Sequence, residues 1–198
     1  MRKPIALLLL GIVTSLLNAQ SKEGIAVGLP KEVLPESYFI HLEPDADRLV
    51  NSGVESIKIR VLGSTNRIVL NAVEIEISAA KLAGGETEEE LTPNYNSGSQ
   101  TVYFETKQAL APGVYTLTLN FKSRILEAPR GLFVESYQTG KEKERILATC
   151  MKPANARRVF PCWDEPAFRA IYQLSVRTKS AYTAVSNTPI FAQQAIAS

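Results

Sequence analysis

The sequence predicts an all-β fold, a multi-stranded antiparallel sandwich or related sheet. Three observations carry this. Apolar residues recur at every second position in several separate segments, the pattern of strands with one buried and one wet face. Turn signals punctuate those segments. No stretch joins a helix cap to a 3.6-residue apolar stripe, and no repeat of fixed period runs along the chain.

The first alternating segment sets Tyr38, Ile40 and Leu42 against Phe39, His41 and Glu43, and Pro44-Asp45 closes it. Ile57, Ile59 and Val61 alternate with Lys58 and Arg60; Val73, Ile75 and Ile77 alternate with Glu74 and Glu76. Between Gly84 and Gln100 stand Gly84-Gly85, the run Glu88-Glu89-Glu90 and Pro93-Asn94, which read as an exposed hairpin loop. Three adjacent glutamates do not give the spaced carboxylates of a calcium loop. Ala111-Pro112-Gly113 is a turn signal, and Tyr115, Leu117, Leu119 and Phe121 then alternate with Thr116, Thr118 and Asn120. Gly131 to Tyr137 reads as a short strand with Leu132 and Val134 on one face. Gly131 is suited to an unusual backbone angle or a close approach. Lys141 to Arg145 reads as a charged loop. Ile171 to Arg177 alternates again, and Ala181 to Val185 is expected to be a further strand.

The 198 residues make one domain, or most of one, and 45% apolar with 21% charged residues is ordinary for a globular protein. A net charge of +2, with no Lys/Arg cluster interleaved with aromatics, gives no nucleic-acid signal. Residues 1–19 read as a secretory signal peptide: Arg2-Lys3, an apolar core from Ile5 to Val13 extended by Leu16-Leu17, then Asn18-Ala19 before Gln20. The apolar run is too short and wrongly flanked for a transmembrane segment. A secreted, periplasmic or extracellular location follows as an expectation. Residues 20–34 read as a polar linker, and residues 35–198 as the β domain.

Between the last strands stands Thr149 to Ala170, TCMKPANARRVFPCWDEPAFRA, with the only Trp and both Cys of the chain. Long irregular segments inside a compact domain are uncommon and usually functional. Pro161 and Pro166 bracket Cys162-Trp163-Asp164-Glu165 and push the residue before each towards extended geometry. Trp163 calls for a pocket and one polar partner. Arg157 and Arg158 stand within reach of the Asp164-Glu165 pair, and Arg can hold a carboxylate bidentately. On pattern alone this is a structural corner pinned by ion pairs. Two cysteines in an exported chain also permit a Cys150–Cys162 disulfide.

The run Ala156-Arg157-Arg158-Val159-Phe160-Pro161-Cys162-Trp163-Asp164-Glu165-Pro166-Ala167-Phe168-Arg169-Ala170 resembles the signature loop of the gluzincin zinc aminopeptidases, the aminopeptidase N and puromycin-sensitive aminopeptidase group. Weaker matches flank it in order: Pro35-Glu36-Ser37-Tyr38, Gly131-Leu132-Phe133-Val134-Glu135-Ser136-Tyr137 and Val185-Ser186-Asn187-Thr188-Pro189. The resemblance covers roughly Leu34 to Pro189. It implies the family's N-terminal β domain, with a sandwich or saddle-like sheet, which precedes a zinc-binding catalytic domain. It implies a domain truncated at its C-terminal end. It also places the Gly131 segment beside the signature loop. Cys162 belongs to the family signature, whereas Cys150 stands where the family usually has Gln, which speaks against a shared family disulfide.

The catalytic inventory of this chain is short. A gluzincin needs His-Glu-x-x-His on a helix and a distal Glu to hold zinc, with the motif Glu as base. The chain has one histidine, His41, in an alternating strand, where an ordinary half-exposed residue is expected. No catalytic residue, metal ligand or bound cofactor is assigned to it, and the family's Gly-x-Met-Glu-Asn segment is missing. The resemblance implies zinc for the parent enzyme family, with peptide N-termini and the missing catalytic domain as partners.

One substrate-binding residue is assigned by resemblance. The family's loop begins Thr-Gln-x-Glu or Thr-Gln-x-Gln, and the last residue contacts the substrate α-ammonium. The matching positions here read Thr149-Cys150-Met151-Lys152, so a cation replaces an anion or amide. Two like charges about 4 Å apart repel by about 4 kcal/mol at an effective dielectric of about 20, roughly a thousandfold in binding. The expected function is the N-terminal domain of a secreted zinc-dependent aminopeptidase, shaping the substrate entrance but inactive alone. The alternative is a non-catalytic secreted β module that binds peptide or protein. The signature loop weighs against an unrelated adhesion-type sandwich.

Overall fold

The computed structural model describes residues 28–195. Eleven strands and one 3₁₀ turn are present among them: β1 Val33–Asp45, β2 Val50–Val61, β3 Thr65–Asn71, β4 Ile75–Gly84, β5 Thr87–Glu90, β6 Asn94–Asn96, β7 Thr101–Leu110, β8 Gly113–Arg124, β9 Gly131–Thr139, β10 Glu142–Cys150, the turn Ala156–Arg158 and β11 Ile171–Val176. The fold is all-β, as expected.

Six strands form the main sheet in the order β11-β1-β2-β8-β4-β5. A three-stranded sheet, β3-β7-β6, and a two-stranded ribbon, β10-β9, complete the fold. Pairing is antiparallel except between β1 and β11, which run parallel with Tyr38 opposite Tyr172.

The inner face of the main sheet is the apolar set that the alternation exposes. Tyr38 and Ile40 of β1, Ile57, Ile59 and Val61 of β2, and Leu117, Leu119 and Phe121 of β8 are buried. They share one core with Ile68 and Leu70 of β3 and Val102 and Phe104 of β7, so the two larger sheets enclose a common interior. The β1–β2 hairpin closes because the Asp45 carboxylate accepts the backbone N–H groups of Asp47 and Arg48, a local turn typical of Asp. In β4 a bulge between Ile77 and Ala79 moves the buried positions from Ile75 and Ile77 to Ala80 and Leu82.

Several expectations are corrected. The acidic run Glu88–Glu90 is not loop: it lies in β5, hydrogen-bonded to β4, and the turn between the two strands passes through Gly85 at φ +58°. The charged stretch after Lys141 is the start of β10, paired to β9 around Gly140 at φ +65°. In both, charged side chains ride exposed faces of real strands. Ala181–Val185 forms no strand; Val185 is exposed, and no neighbouring strand pairs with it among the described residues. Val73 lies outside β4, which begins at Ile75. The expected linker overlaps the fold: Leu29 and Val33 are in the core, and β1 already includes Leu34. Residues 1–27, with the signal segment and the rest of that linker, lie outside the described residues. Among the described residues no helix is long and apolar enough to cross a membrane.

Candidate functional site: the signature loop and its open end

The segment from Met151 to Ala170 is irregular apart from the short turn Ala156–Arg158. It is not loose. Val159, Phe160, Pro161, Cys162 and Trp163 are buried, so the middle of the loop is core.

Four sets of contacts hold it. Asn71, at the end of β3, exchanges backbone hydrogen bonds with Cys162 at 2.8 and 3.0 Å, and its side-chain oxygen accepts the Asp164 N–H at 3.0 Å. The Trp163 N–H donates to the Tyr38 hydroxyl at 3.2 Å. Tyr38 also stacks on Tyr172 of β11, with centroids 4.7 Å apart, and meets Phe160 edge-on at 6.3 Å. Beside Val159, its carbonyl accepts from Ser123 at 3.0 Å and from the Asn51 amide at 3.4 Å. The fourth set is ionic and closes the loop on itself. Arg157 Nε donates to Asp164 Oδ2 at 2.9 Å, and Nη2 donates to the Asp164 carbonyl at 2.9 Å.

The expected pairing of two arginines with two carboxylates is half realised. Arg157 takes Asp164, but through one carboxylate oxygen and a carbonyl rather than both carboxylate oxygens. Arg158 turns the other way, to Glu74 at 3.4 Å. Glu165 instead accepts the Leu29 N–H at 2.7 Å, tying the segment before β1 to the loop. Trp163 has its pocket, but among the described residues its indole N–H has no hydrogen-bond partner. The two thiols are not joined: Cys150 is half-buried, Cys162 buried, and both are free.

Gly131 performs the role expected of it. Its φ is +67°, and a Cβ there would stand 3.0 Å from Arg158 Cβ and 3.4 Å from the Asn155 carbonyl. The start of β9 therefore lies directly against the 3₁₀ turn of the loop.

The interior under the loop is weakly polar and poor in cations. Burial, then the nearby Cys162, pushes the Tyr38 phenol far above its ordinary value. Tyr172 is pushed up to about 12, mainly by burial. The Cys162 thiol is raised by burial first and by Asp164 and Glu55 next, against the pull of Arg157. Such a thiol is an inert packing group, not a nucleophile.

Lys152 lies at the open end of the loop, two residues beyond the last residue of β10. It is exposed, in the turn that precedes Ala156–Arg158, and its carbonyl accepts from the Asn155 amide at 2.7 Å. Its ammonium makes no ion pair among the described residues, so the cation faces solvent. The residues here do not fit a zinc centre. His41 spends Nδ1 on Ser175 and Nε2 on Glu43, both at 3.1 Å. Among the described residues no three His, Cys, Asp or Glu side chains converge as a metal site would need.

Asn71, Tyr38 and Glu55 are absent from the sequence-derived site. Asn71 ends a strand that the alternation reading passes over, although Ile68 and Leu70 mark it. Tyr38 reads as an ordinary inward strand residue; its hydroxyl contact comes from a residue 125 positions away.

Residues 34–197 match the peptidase M1 N-terminal domain. The chain belongs to that family. This M1 N-terminal domain is 36% identical to the aminopeptidase N of Acetobacter pasteurianus over 82% of the chain and 45% of that protein. It is 32% identical to aminopeptidase M1-A of Oryza sativa subsp. japonica over 82% of the chain and 19% of that protein. Against endoplasmic reticulum aminopeptidase 1 of Rattus norvegicus the identity is 29%, over 82% of the chain and 18% of the relative. The M1 N-terminal domain chain thus spans less than half the length of these relatives.

Proposed function

We propose that this chain is the N-terminal β domain of an exported zinc-dependent aminopeptidase, whose zinc ligands and general base reside elsewhere in the protein. In this reading residues 1–19 direct export, and the mature chain begins at or near Gln20. The β domain supplies one wall of the substrate entrance and contributes no catalytic residue. The match of residues 34–197 to the M1 N-terminal domain carries the reading. The relatives' printed names, aminopeptidases throughout, support peptide N-termini as the substrate class.

Lys152 is the proposed point of contact with the substrate amine. It stands exposed at the mouth of the signature loop, on a turn anchored by β10 and by Asn155. A cation there repels an α-ammonium group, so the reading includes weakened recognition of ordinary aminopeptidase substrates. The same observation favours a second reading, a non-catalytic β module that has given up peptide cleavage.

The test is Lys152→Glu in the protein that carries the catalytic domain, assayed on a neutral aminoacyl substrate. A tenfold or greater gain in kcat/KM is expected. No change, or a loss, overturns the role of Lys152. An absence of His-Glu-x-x-His in the coding sequence beyond Ser198 overturns the enzyme reading in favour of the binding module. Mass spectrometry of exported protein tests the leader, and an intact Met1 in cytosolic protein sinks it.

A further inference from the structure

The signature loop touches the inner face of the main sheet on both sides of Glu55: the Val159 carbonyl accepts from Asn51, and the Trp163 N–H donates to Tyr38, the residue opposite Ile57. Among the described residues no cation pairs with the carboxyl between them. Glu55 sits on the inner face of β2, on the same side as Ile57, Ile59 and Val61. It is completely buried, and among the described residues neither carboxyl oxygen has a hydrogen-bond partner. Its strand neighbours across the sheet are Ile40 of β1 and Leu119 of β8, both core residues. On one side along β2 lies Gly53, against which the Phe121 ring is so close that a Cβ would overlap it. On the other lies Ile57.

The titratable groups whose ionisation the Glu55 charge opposes come from three elements. They are Tyr38 of β1, Tyr172 of β11, which stacks on Tyr38, and Cys162 of the signature loop, next to the Trp163 N–H that donates to Tyr38. All three are acids that are neutral when protonated. Among the described residues no Lys, Arg or His forms an ion pair with the carboxyl. A carboxylic acid is tolerable in such a place, whereas an unpaired carboxylate is not. Burial alone holds the Glu55 carboxyl well above its ordinary range.

We propose that Glu55 is a proton-dependent latch: the signature loop stays closed over β2 while the carboxyl is protonated, and loss of that proton to solvent opens the loop. The loop is the element that yields, because β1, β2 and β8 are joined to one another by long strand ladders, whereas Val159–Trp163, though buried, is joined to the sheets by single contacts with Asn51, Ser123, Asn71 and Tyr38. The latch does not depend on the peptidase reading, since every group in it lies within the described residues.

The sign follows from proton linkage. A carboxyl whose folded value lies above the ordinary 4.5 binds more protons in the closed state than in the open one. The closed-to-open ratio is therefore fully present below that value and falls as pH rises above it. The fall is about tenfold per pH unit, until the folded value is passed.

Trp163 is the only tryptophan of the chain and lies in the loop, so its emission reports opening. The experiment compares the full chain with Glu55→Gln, both in a Cys150→Ser background, across about pH 5 to pH 9. Trp163 emission and the labelling rate of Cys162 by a thiol reagent are followed. The expected result is a red shift of Trp163 at rising pH in the parent chain and none in Glu55→Gln. The ratio of Cys162 labelling rates, parent to variant, should climb up to tenfold per pH unit, the thiol's own titration cancelling. Equal pH dependence in the two chains overturns the latch. Glu55→Leu is the second variant, apolar and of similar volume, and is expected to fold and to lose the pH response. If both variants fail to fold, the carboxyl is a structural requirement and the latch is wrong.

Discussion

Arg157 and Asp164, seven residues apart, close the signature loop with three hydrogen bonds: Nε to Oδ2 at 2.9 Å, the Arg157 N–H to Oδ2 at 3.3 Å, and Nη2 to the Asp164 carbonyl at 2.9 Å. Only 12% of each side chain is exposed, so solvent screens the pair weakly. Arg157 also reaches Gln100 through Nη1 at 3.1 Å and gives its own carbonyl to the Val73 N–H. The loop is thereby fixed both to itself and to the β3–β4 connection.

Removing one partner of this pair strands the other. Asp164→Ala is expected to destabilise the domain by about 3 kcal/mol, the lower end of the cost of breaking a buried pair. Combined with Arg157→Met, the total cost should fall short of the sum of the single costs by about 1 kcal/mol or more. Urea unfolding followed by Trp163 emission measures all three. Additive costs would show that the two side chains do not depend on each other.

Gly131→Ala tests the contact between β9 and the loop. The substitution forces a side chain into φ +67° and brings its Cβ within 3.0 Å of Arg158 Cβ. A loss of about 1–2 kcal/mol is expected from the left-handed backbone alone, with more if Arg158 cannot retreat. The urea midpoint should drop with its slope unchanged. By contrast, Gly140→Ala at φ +65° has no atom within 4 Å of its Cβ, so it should cost only the backbone part.

The two thiols should react at different rates. Cys150 is half-buried at the end of β10, whereas Cys162 is 2% exposed and its thiol is pushed up by burial. Near neutral pH a thiol reagent should label Cys150 quickly, and Cys162 only on unfolding or loop opening. Cys150→Ser should abolish the fast phase. The raised Cys162 thiol adds stability that is present below its ordinary value of 9.0 and is lost as pH climbs towards the folded value. A mass two hydrogens short of the reduced chain would reveal a disulfide instead.

Alternation around Tyr38, Ile57 and Leu117 was enough to find β1, β2 and β8 and the inner face of the main sheet, because burial on one side of a strand leaves a period of two in the chain itself. The signature loop was legible from the order of its Arg, Cys, Trp, Asp and Pro residues, and the place of the Gly131 segment beside it only from the family resemblance. Long-range pairing was not. The glutamates of β5 and the charged start of β10 look like loop in isolation, and only their partner strands, β4 and β9, make them sheet. Ala181–Val185 alternates well enough, yet it pairs with nothing described. Glu55 shows the division most clearly. Its position in β2 follows from the same period as Ile57, but its lack of any partner depends on what Tyr38, Leu119, Cys162 and Tyr172 bring to it from four other parts of the chain. Local sequence sets which way a side chain faces along its own strand; only the assembled core decides what it meets there.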